Sequence, residues 1–148
     1  MTIAEIKNNI ILGDNRIVLK SFPEGVVNTT VTSPPYYNLR DYGVNGQIGL
    51  EESLEDYIEQ LCVVFDEVYR VTKDDGTLWL NIGDCYANKN EITSDGRRGF
   101  SGSKGMGTAD KTIKGLTTKD LIGVPWKLAF ELPVSYTHLR AHETKANL

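Results

Sequence analysis

Residues 26–36 read VVNTTVTSPPY, a mostly β-branched run that ends in a serine, two prolines and an aromatic ring. The run predicts a strand over residues 26–32, and the prolines predict that it ends in a stiff turn. Proline fixes φ and carries no N–H, so such a turn presents its carbonyl groups in a set geometry. Ser33 Oγ and the Pro34 carbonyl are therefore candidate hydrogen-bond acceptors, and Tyr36 offers a face for stacking a planar ring.

Strand and helix patterns alternate on both sides of this turn. The predicted elements are a strand over 9–12, a helix over 15–22, the strand 26–32, a long helix from residue 54, a strand over 77–82 and a helix over 119–132. This alternation predicts an α/β fold with a parallel, doubly wound sheet. Ligands of such sheets collect at the carboxyl ends of the strands. Three polar corners fall there, at residues 13–14, 33–36 and 83–84.

The long helix has the clearest pattern. Ser53 and Asp56 form a helix-starting cap, and residues 74–76, Asp-Asp-Gly, are expected to end the helix. The residues predicted to form its buried face recur at helical spacing: Leu54, Ile58, Leu61, Phe65, Val68 and Val71. Trp79 and Trp126 are expected to be core aromatics.

Composition indicates one soluble domain. The chain has 148 residues, 40% hydrophobic and 24% charged, with a formal net charge of −4, which does not exclude nucleic-acid binding because phosphates need only a local basic patch. No apolar run approaches the ~20 residues that cross a bilayer, and no signal peptide opens the chain. We expect a cytoplasmic protein with no membrane partner. Cys62 and Cys85 lack disulfide or metal-site spacing, so no metal is expected.

Four stretches together carry a resemblance to a known family. They read TSPPYYNLRDYG over 32–43, QIGLEE over 47–52, GTLWLNIGD over 76–84 and KDLIGVPW over 119–126. In this order they resemble the motifs of DNA amino-methyltransferases of the permuted class, which methylate cytosine N4 or adenine N6. The resemblance covers most of the chain up to about residue 132. It implies a partial, truncated Rossmann-like fold with S-adenosylmethionine as methyl donor.

The resemblance also implies catalytic roles. Ser33, Pro34, Pro35 and Tyr36 match the catalytic motif. In that motif the serine hydroxyl and the first proline carbonyl accept hydrogen bonds from the amine of a base flipped out of double-stranded DNA, and the tyrosine stacks on the base. A serine at this position, where many adenine-specific relatives have aspartate, slightly favours cytosine N4.

Other residues carry alternative interpretations. Asp14, Ser33 and Arg40 are implied cofactor contacts, but Asp14 suits a helix N-cap equally well. Arg40 suits a DNA phosphate or the donor's carboxylate, or else a surface ion pair with Asp41. Tyr37 is an implied DNA contact. Asp84 suits either substrate binding or capping.

Residues 88–114 are polar, rich in glycine and without periodicity, and the glycines do not fit a phosphate-binding P-loop. Composition predicts a flexible loop. The functional alternative is a loop that becomes ordered on DNA, with Arg97, Arg98 and Lys104 on phosphates.

Residues 134–148 resemble a translated sequencing adapter, so we expect a non-native tail. Residues 1–133 are then interpreted as the N-terminal part of a methylase catalytic domain. No glycine-rich turn for the donor precedes Ser33, so we expect that turn downstream and an inactive fragment. The alternatives are an RNA or protein-amide methyltransferase, and a non-catalytic nucleic-acid-binding module. A cognate restriction endonuclease is a possible partner.

Overall fold

The computed structural model describes residues 1–87 and 115–132, and these form an α/β fold around one parallel strand pair. The elements in chain order are helix α1 (Ile3–Ile6), helix α2 (Asn15–Val18), a 3-10 turn (Leu19–Ser21), strand β1 (Val27–Thr32), helix α3 (Leu54–Val71), strand β2 (Thr72–Leu80) and helix α4 (Val124–Glu131). The residues predicted as a flexible loop and as a tail lie outside the described residues.

Helix α3 begins and packs as its sequence predicts. Ser53 Oγ accepts a hydrogen bond from the Asp56 N–H at 3.0 Å, and Glu55 and Asp56 lie at the positive end of the helix dipole. All six residues of the predicted apolar face are buried: Leu54, Ile58, Leu61, Phe65, Val68 and Val71. Burial of this face is the main apolar contribution to the core.

Strands β1 and β2 pair in parallel, and α3 is the crossover between them. The register places Thr30 opposite Leu78 and Thr32 opposite Leu80. Leu78 and Leu80 pack against the core cluster that α3 dominates, so α3 covers one face of the sheet. This strand–helix–strand arrangement brings the end of β1 beside the end of β2.

The predicted strand over residues 9–12 is wrong. Among the described residues nothing pairs with this segment, and Ile10 and Leu12 are 102% and 99% exposed. A strand forms only when a neighbour satisfies its backbone groups, and the described sheet contains β1 and β2 alone. The helix predicted over residues 15–22 is close to the structure, since α2 and the 3-10 turn together span residues 15–21.

The predicted helix end at residues 74–76 is also wrong. Helix α3 stops at Val71, and β2 starts at once with Thr72, so Asp74, Asp75 and Gly76 lie inside the strand. The β-branched pair Val71 and Thr72 favours extended structure, and the Val26 N–H donates to the Val71 carbonyl at 2.8 Å. Pairing with the segment before β1 therefore overrides the turn signal of Asp-Asp-Gly.

The two tryptophans are not core residues, contrary to expectation. Trp79 is 60% exposed on the sheet face opposite α3, and Trp126 is 62% exposed on α4. The exposure of Trp79 follows from the alternation of side chains along a strand. Leu78 and Leu80 lie on the covered face of the sheet, so Trp79 lies on the other.

Helix α4 starts five residues later than predicted. Lys119 and Gly123 have φ values of 79° and 82°, in the left-handed region, so residues 119–123 are not helical. Pro125 lies in the first turn of the helix, where its missing N–H costs nothing. The Asp84 carboxylate, at the end of the segment after β2, accepts hydrogen bonds at 3.0 Å from the N–H groups of Gly123 and Val124.

Asp84 therefore caps α4 and joins this helix to the end of the sheet. Capping was one of the two roles that the sequence suggested for Asp84. Its carboxylate also accepts from the Cys85 N–H at 2.8 Å.

The Asp84 cap predicts a specific stability loss. Asp84→Ala leaves three backbone N–H groups without their acceptor, so the free energy of unfolding should fall by about 2 kcal/mol in urea denaturation. Asp74→Ala, at an exposed strand position, is the matched control and should change it by less than about 0.5 kcal/mol. Equal effects of the two substitutions would contradict the capping role.

Candidate active site

The turn at residues 33–36 leaves the carboxyl end of β1. The Asn81 N–H donates to the Thr32 carbonyl at 2.9 Å, which ties the last residue of β1 to the segment that follows β2. Ser33 is exposed, and Pro34, Pro35 and Tyr36 are half-buried. The turn therefore lies at the molecular surface, at the sheet edge where parallel folds bind ligands.

The turn contains two acceptors that the described part of the protein does not use. The Pro35 carbonyl accepts from the Tyr57 hydroxyl at 2.8 Å, and the Tyr36 carbonyl accepts from the Leu39 N–H at 3.3 Å. Neither Ser33 Oγ nor the Pro34 carbonyl has a donor among the described residues. These two oxygens are adjacent in sequence and available to an external N–H group.

Two glycines shape the surroundings of Tyr36. A Cβ added to Gly83 would lie 2.8 Å from Cε2 of the Tyr36 ring, and one added to Gly49 would lie 3.0 Å from the Tyr36 carbonyl oxygen. Gly49 also has a φ of 106°, which side chains rarely adopt. Both positions need glycine because the backbone approaches Tyr36 closely, Gly83 at the ring and Gly49 at the carbonyl oxygen.

Tyr57 braces the turn from within the core. It is completely buried, and its ring lies 5.2 Å from that of Tyr37 at an angle of 37°. Burial raises the pKa of both phenols above the ordinary tyrosine value, so both stay protonated at neutral pH. The Tyr57 hydroxyl therefore remains a hydrogen-bond donor to the Pro35 carbonyl throughout the physiological range.

Tyr37 follows the turn and lies in the core. Its side chain is only 3% exposed, belongs to the core cluster and packs on Tyr57. A DNA contact through Tyr37 stays a prediction.

Asp14 serves as the N-cap of α2. Its carboxylate accepts from the Arg16 N–H at 2.9 Å and forms an ion pair with the Arg16 guanidinium at 2.6 Å. The hydrogen bonds from Arg16 lower the pKa of Asp14. These interactions leave 36% of the Asp14 side chain exposed. A cofactor contact through Asp14 therefore stays a prediction.

Arg16 is a residue that sequence reasoning missed. Besides Asp14, its guanidinium donates to the Gly46 carbonyl at 2.9 Å and to Gln60 Oε1 at 3.0 Å. It thus fastens the loop after the turn to α3. A cleft of about 680 Å³ opens beside it, lined in part by Glu51 and Glu59, and no residue of the turn 33–36 lines this cleft.

Arg40 is exposed, and the predicted ion pair with Asp41 is absent among the described residues. The Asp41 carboxylate instead accepts from the Gly43 N–H at 2.7 Å. Gln47 holds this loop together, because its side chain donates to the Arg40 carbonyl and accepts from the Tyr42 N–H. The Arg40 side chain is therefore available at the surface.

Arg97, Arg98 and Lys104, the predicted phosphate contacts, lie outside the described residues. Within residues 1–87 and 115–132, no group of acidic, histidine or cysteine side chains is arranged to hold a metal ion. The same part of the chain has no helix that is both long and apolar enough to cross a membrane.

Asn38 is a second residue that the sequence reading overlooked. It is 4% exposed, its φ is 50°, and its Nδ2 has no hydrogen-bond partner among the described residues. Its backbone N–H donates to the Gly49 carbonyl at 2.7 Å, which closes the loop behind Tyr36. Asparagine adopts left-handed backbone angles more readily than most residues. An asparagine just after the turn was therefore the feature of the sequence that could have indicated this conformation.

These features define an α/β protein with an acceptor-bearing turn at the carboxyl end of a parallel strand. The model of a DNA methylase family matches residues 27–131, which include β1, the turn, α3, β2 and α4. The chain belongs to this family of N6- and N4-amino DNA methylases.

Several relatives are similar over most of the chain. The Type II methyltransferase M.SmaI of Serratia marcescens is 47% identical over 131 residues, covering 88% of this chain and 44% of that protein. M.Cfr9I of Citrobacter freundii is 44% identical over 135 residues, covering 87% of this chain and 43% of its own length. The chain thus spans less than half the length of these relatives. No solved structure matches it.

The buried brace predicts a measurable effect of one hydroxyl group. Tyr57→Phe removes the donor to the Pro35 carbonyl, so the free energy of unfolding should fall by about 1 kcal/mol in chemical denaturation. Tyr86→Phe is the matched control, because Tyr86 is 61% exposed, and it should be neutral. A neutral Tyr57→Phe substitution would show that the hydrogen bond contributes nothing to the turn.

Proposed function

We propose that this chain provides the base-binding turn of a site-specific DNA methyltransferase that modifies the exocyclic amine of cytosine or adenine. The observation that carries the proposal is a pair of acceptors on a surface turn, Ser33 Oγ and the Pro34 carbonyl, that no donor among the described residues engages. Family membership supports DNA as the substrate. The wider fold is proposed to be the doubly wound, Rossmann-like methyltransferase fold.

The chemistry explains why two acceptors are needed. The lone pair of an exocyclic amine is delocalised into the base ring, which makes the nitrogen a poor nucleophile. Positive charge develops on this nitrogen as a methyl group arrives, so its N–H groups become stronger donors. Ser33 Oγ and the Pro34 carbonyl stabilise that charge without reorganisation, because the prolines fix their geometry. The proton then leaves the amine.

Tyr36 is proposed to hold the flipped base. Its ring is half-buried and lies against Gly83, so one orientation is fixed before the base enters. Stacking on an aromatic face compensates part of the energy lost when the base leaves the duplex. No metal and no covalent enzyme intermediate enter this mechanism.

S-adenosylmethionine, the donor implied by the family, supplies an electrophilic methyl group when bound. Asp14, Ser33 and Arg40 are the described residues proposed to contact it, and Asp14 and Arg40 both keep exposed surface. Asp14 is already engaged by Arg16, so it retains only part of its capacity to accept hydrogen bonds. The set is incomplete, because no glycine-rich turn follows a strand in the described residues.

The proposal extends to the target base, the DNA contacts, the location and a partner. Serine in the turn favours cytosine N4 over adenine N6. Arg40 and the basic residues Arg97, Arg98 and Lys104 are proposed to contact DNA phosphates. A cytoplasmic location and a cognate restriction endonuclease are also proposed, with support from the Type II names of the relatives.

The role of Ser33 can be tested in a chimera. Residues 1–132 would replace the matched region of M.SmaI from Serratia marcescens, and sequencing of plasmid DNA from expressing cells would detect N4-methylcytosine and N6-methyladenine. Ser33→Ala should lower the methylation rate by about 100-fold, because it removes one acceptor from the developing charge. Ser21→Ala, whose hydroxyl contacts only the Val18 carbonyl, is the control and should leave the rate unchanged.

Two results would contradict the proposal. Undiminished methylation by the Ser33→Ala chimera would remove this hydroxyl from the mechanism. A folded chimera that methylates neither base would count against the proposed activity as a whole.

Donor binding by the chain alone gives a separate prediction. Titration calorimetry of residues 1–133 with S-adenosylmethionine should show no tight binding, because the described residues offer no glycine-rich turn for the methionine part. Circular dichroism of the same sample would show that the protein is folded. A dissociation constant in the micromolar range would refute the prediction.

A further inference from the structure

The turn at residues 33–36 has one soft backbone torsion between its acceptors and its aromatic residue. The rings of Pro34 and Pro35 lock their own φ angles, and the peptide bonds that precede both prolines are trans. A proline also confines ψ of the residue before it to extended values, which applies to Ser33 and to Pro34. The ψ angle of Pro35 is free of both restrictions, because Tyr36 follows it. This torsion sets the direction of the Pro35 carbonyl and the position of Tyr36.

Tyr57 restrains this torsion through the Pro35 carbonyl. Its hydroxyl donates to that carbonyl at 2.8 Å, across a separation of 22 residues in the chain. The donor is held firmly by the core, because Tyr57 is completely buried and its ring packs 5.2 Å from that of Tyr37. Its backbone N–H also donates to the Ser53 carbonyl at 3.2 Å, in the first turn of α3. The hydrogen bond therefore limits ψ of Pro35 to the range in which the carbonyl faces this hydroxyl.

The other contacts of Tyr36 do not replace this restraint. The backbone of Gly83 lies close to its ring, and that of Gly49 lies close to its carbonyl oxygen. Close packing of this kind stops Tyr36 from moving toward either glycine, but it does not stop movement away from them. The Tyr36 carbonyl also accepts from the Leu39 N–H at 3.3 Å, but that donor lies three residues away in the same loop and moves with it. The restraint from the core therefore comes from the Tyr57 hydroxyl.

We propose that Tyr57 is a positioning residue for methyl transfer, because its hydroxyl fixes the ring of Tyr36 relative to Ser33 Oγ and the Pro34 carbonyl. The inference rests on the proposed function of the turn, and in this role Tyr57 touches neither the base nor the donor. A base stacked on a displaced ring carries its amine away from the two acceptors. Misplacement of a reacting group by about 1 Å slows a reaction by on the order of 100-fold.

Positioning and stability have different consequences for a folded enzyme. A residue that contributes only to stability changes the folded fraction, and each folded molecule keeps its rate of methyl transfer. A positioning residue changes the rate in folded molecules and leaves DNA binding nearly unaffected, because contacts with the phosphates supply much of the affinity. The two roles are therefore separated by comparing rate with binding in folded samples.

The chimera of residues 1–132 with M.SmaI of Serratia marcescens allows this comparison. Tyr57→Phe should lower its single-turnover methylation rate by about tenfold, whereas the dissociation constant for DNA should change by less than about twofold. DNA with the fluorescent base analogue 2-aminopurine at the methylated position supplies a second readout. Its complex with the Tyr57→Phe chimera should be brighter, because a base that stacks less well on Tyr36 is quenched less.

A conservative replacement should restore the function. Replacement of Tyr57 by para-aminophenylalanine keeps an N–H donor at the same place on the ring. It should return the methylation rate and the fluorescence toward those of the original chimera, because the Pro35 carbonyl regains a hydrogen bond.

Thr72→Val is the matched control. The Thr72 hydroxyl donates to the Val68 carbonyl at 2.6 Å, so this substitution also removes one part-buried hydrogen bond from a hydroxyl to a carbonyl of the chain. Thr72 pairs with Val27 at the start of β1, whereas the turn follows the end of that strand. The control should leave the rate and the fluorescence unchanged. Circular dichroism and urea denaturation of each variant would give the folded fraction for which the rates are corrected.

The positioning role would be wrong, and the proposed function intact, if Tyr57→Phe and Thr72→Val gave equal rates in an active chimera. A loss that appears in DNA binding alone would also overturn the positioning role. A folded chimera with Tyr57 in place that methylates neither base would overturn both proposals, because the inference needs a reaction at the turn.

Discussion

Parallel pairing of β1 with β2 constrains the rest of the described structure. Two parallel strands cannot be joined by a tight hairpin, so the chain must return across the sheet before the second strand begins. Helix α3 makes that return, and its apolar face packs against Leu78 and Leu80 of β2. The same requirement leaves the turn at 33–36 at the carboxyl end of the sheet, where Ser33 is exposed.

Core packing and the chemistry of the turn are joined by a single buried residue. Tyr57 lies on the first part of α3 and is fully buried, yet its hydroxyl reaches the Pro35 carbonyl. The Pro35 carbonyl is thereby occupied, whereas Ser33 Oγ and the Pro34 carbonyl have no donor among residues 1–87 and 115–132. The position of a core helix therefore decides that the Pro35 carbonyl is used within the protein.

The described sheet also explains the two kinds of exposed apolar side chain. Val31 and Trp79 are exposed because only one side of the sheet is covered, whereas Ile10 and Leu12 are exposed because their segment has no neighbouring strand in the described residues. In both cases the described sheet, which has two strands, offers no surface that covers these side chains. A sheet of two strands has too little surface to bury what its sequence supplies.

The sequence alone determined features that depend on neighbouring residues. The cap at Ser53, the six-residue apolar face of α3 and the β1 strand are found as predicted, because helix periodicity, capping and β-branched runs act over a few residues. The family was also evident from the order of four short motifs, and the match over residues 27–131 agrees with it.

Tertiary structure decided the features that need a distant partner. The strand expected at residues 9–12 did not form without a neighbour, and β2 began at Thr72 because pairing with the segment before β1 outweighed the Asp-Asp-Gly turn signal. Contacts far apart in sequence likewise buried Tyr37 and used Asp84 to cap α4. Local sequence cannot specify such outcomes, because a backbone or carboxylate group takes whichever partner the fold brings within hydrogen-bond distance.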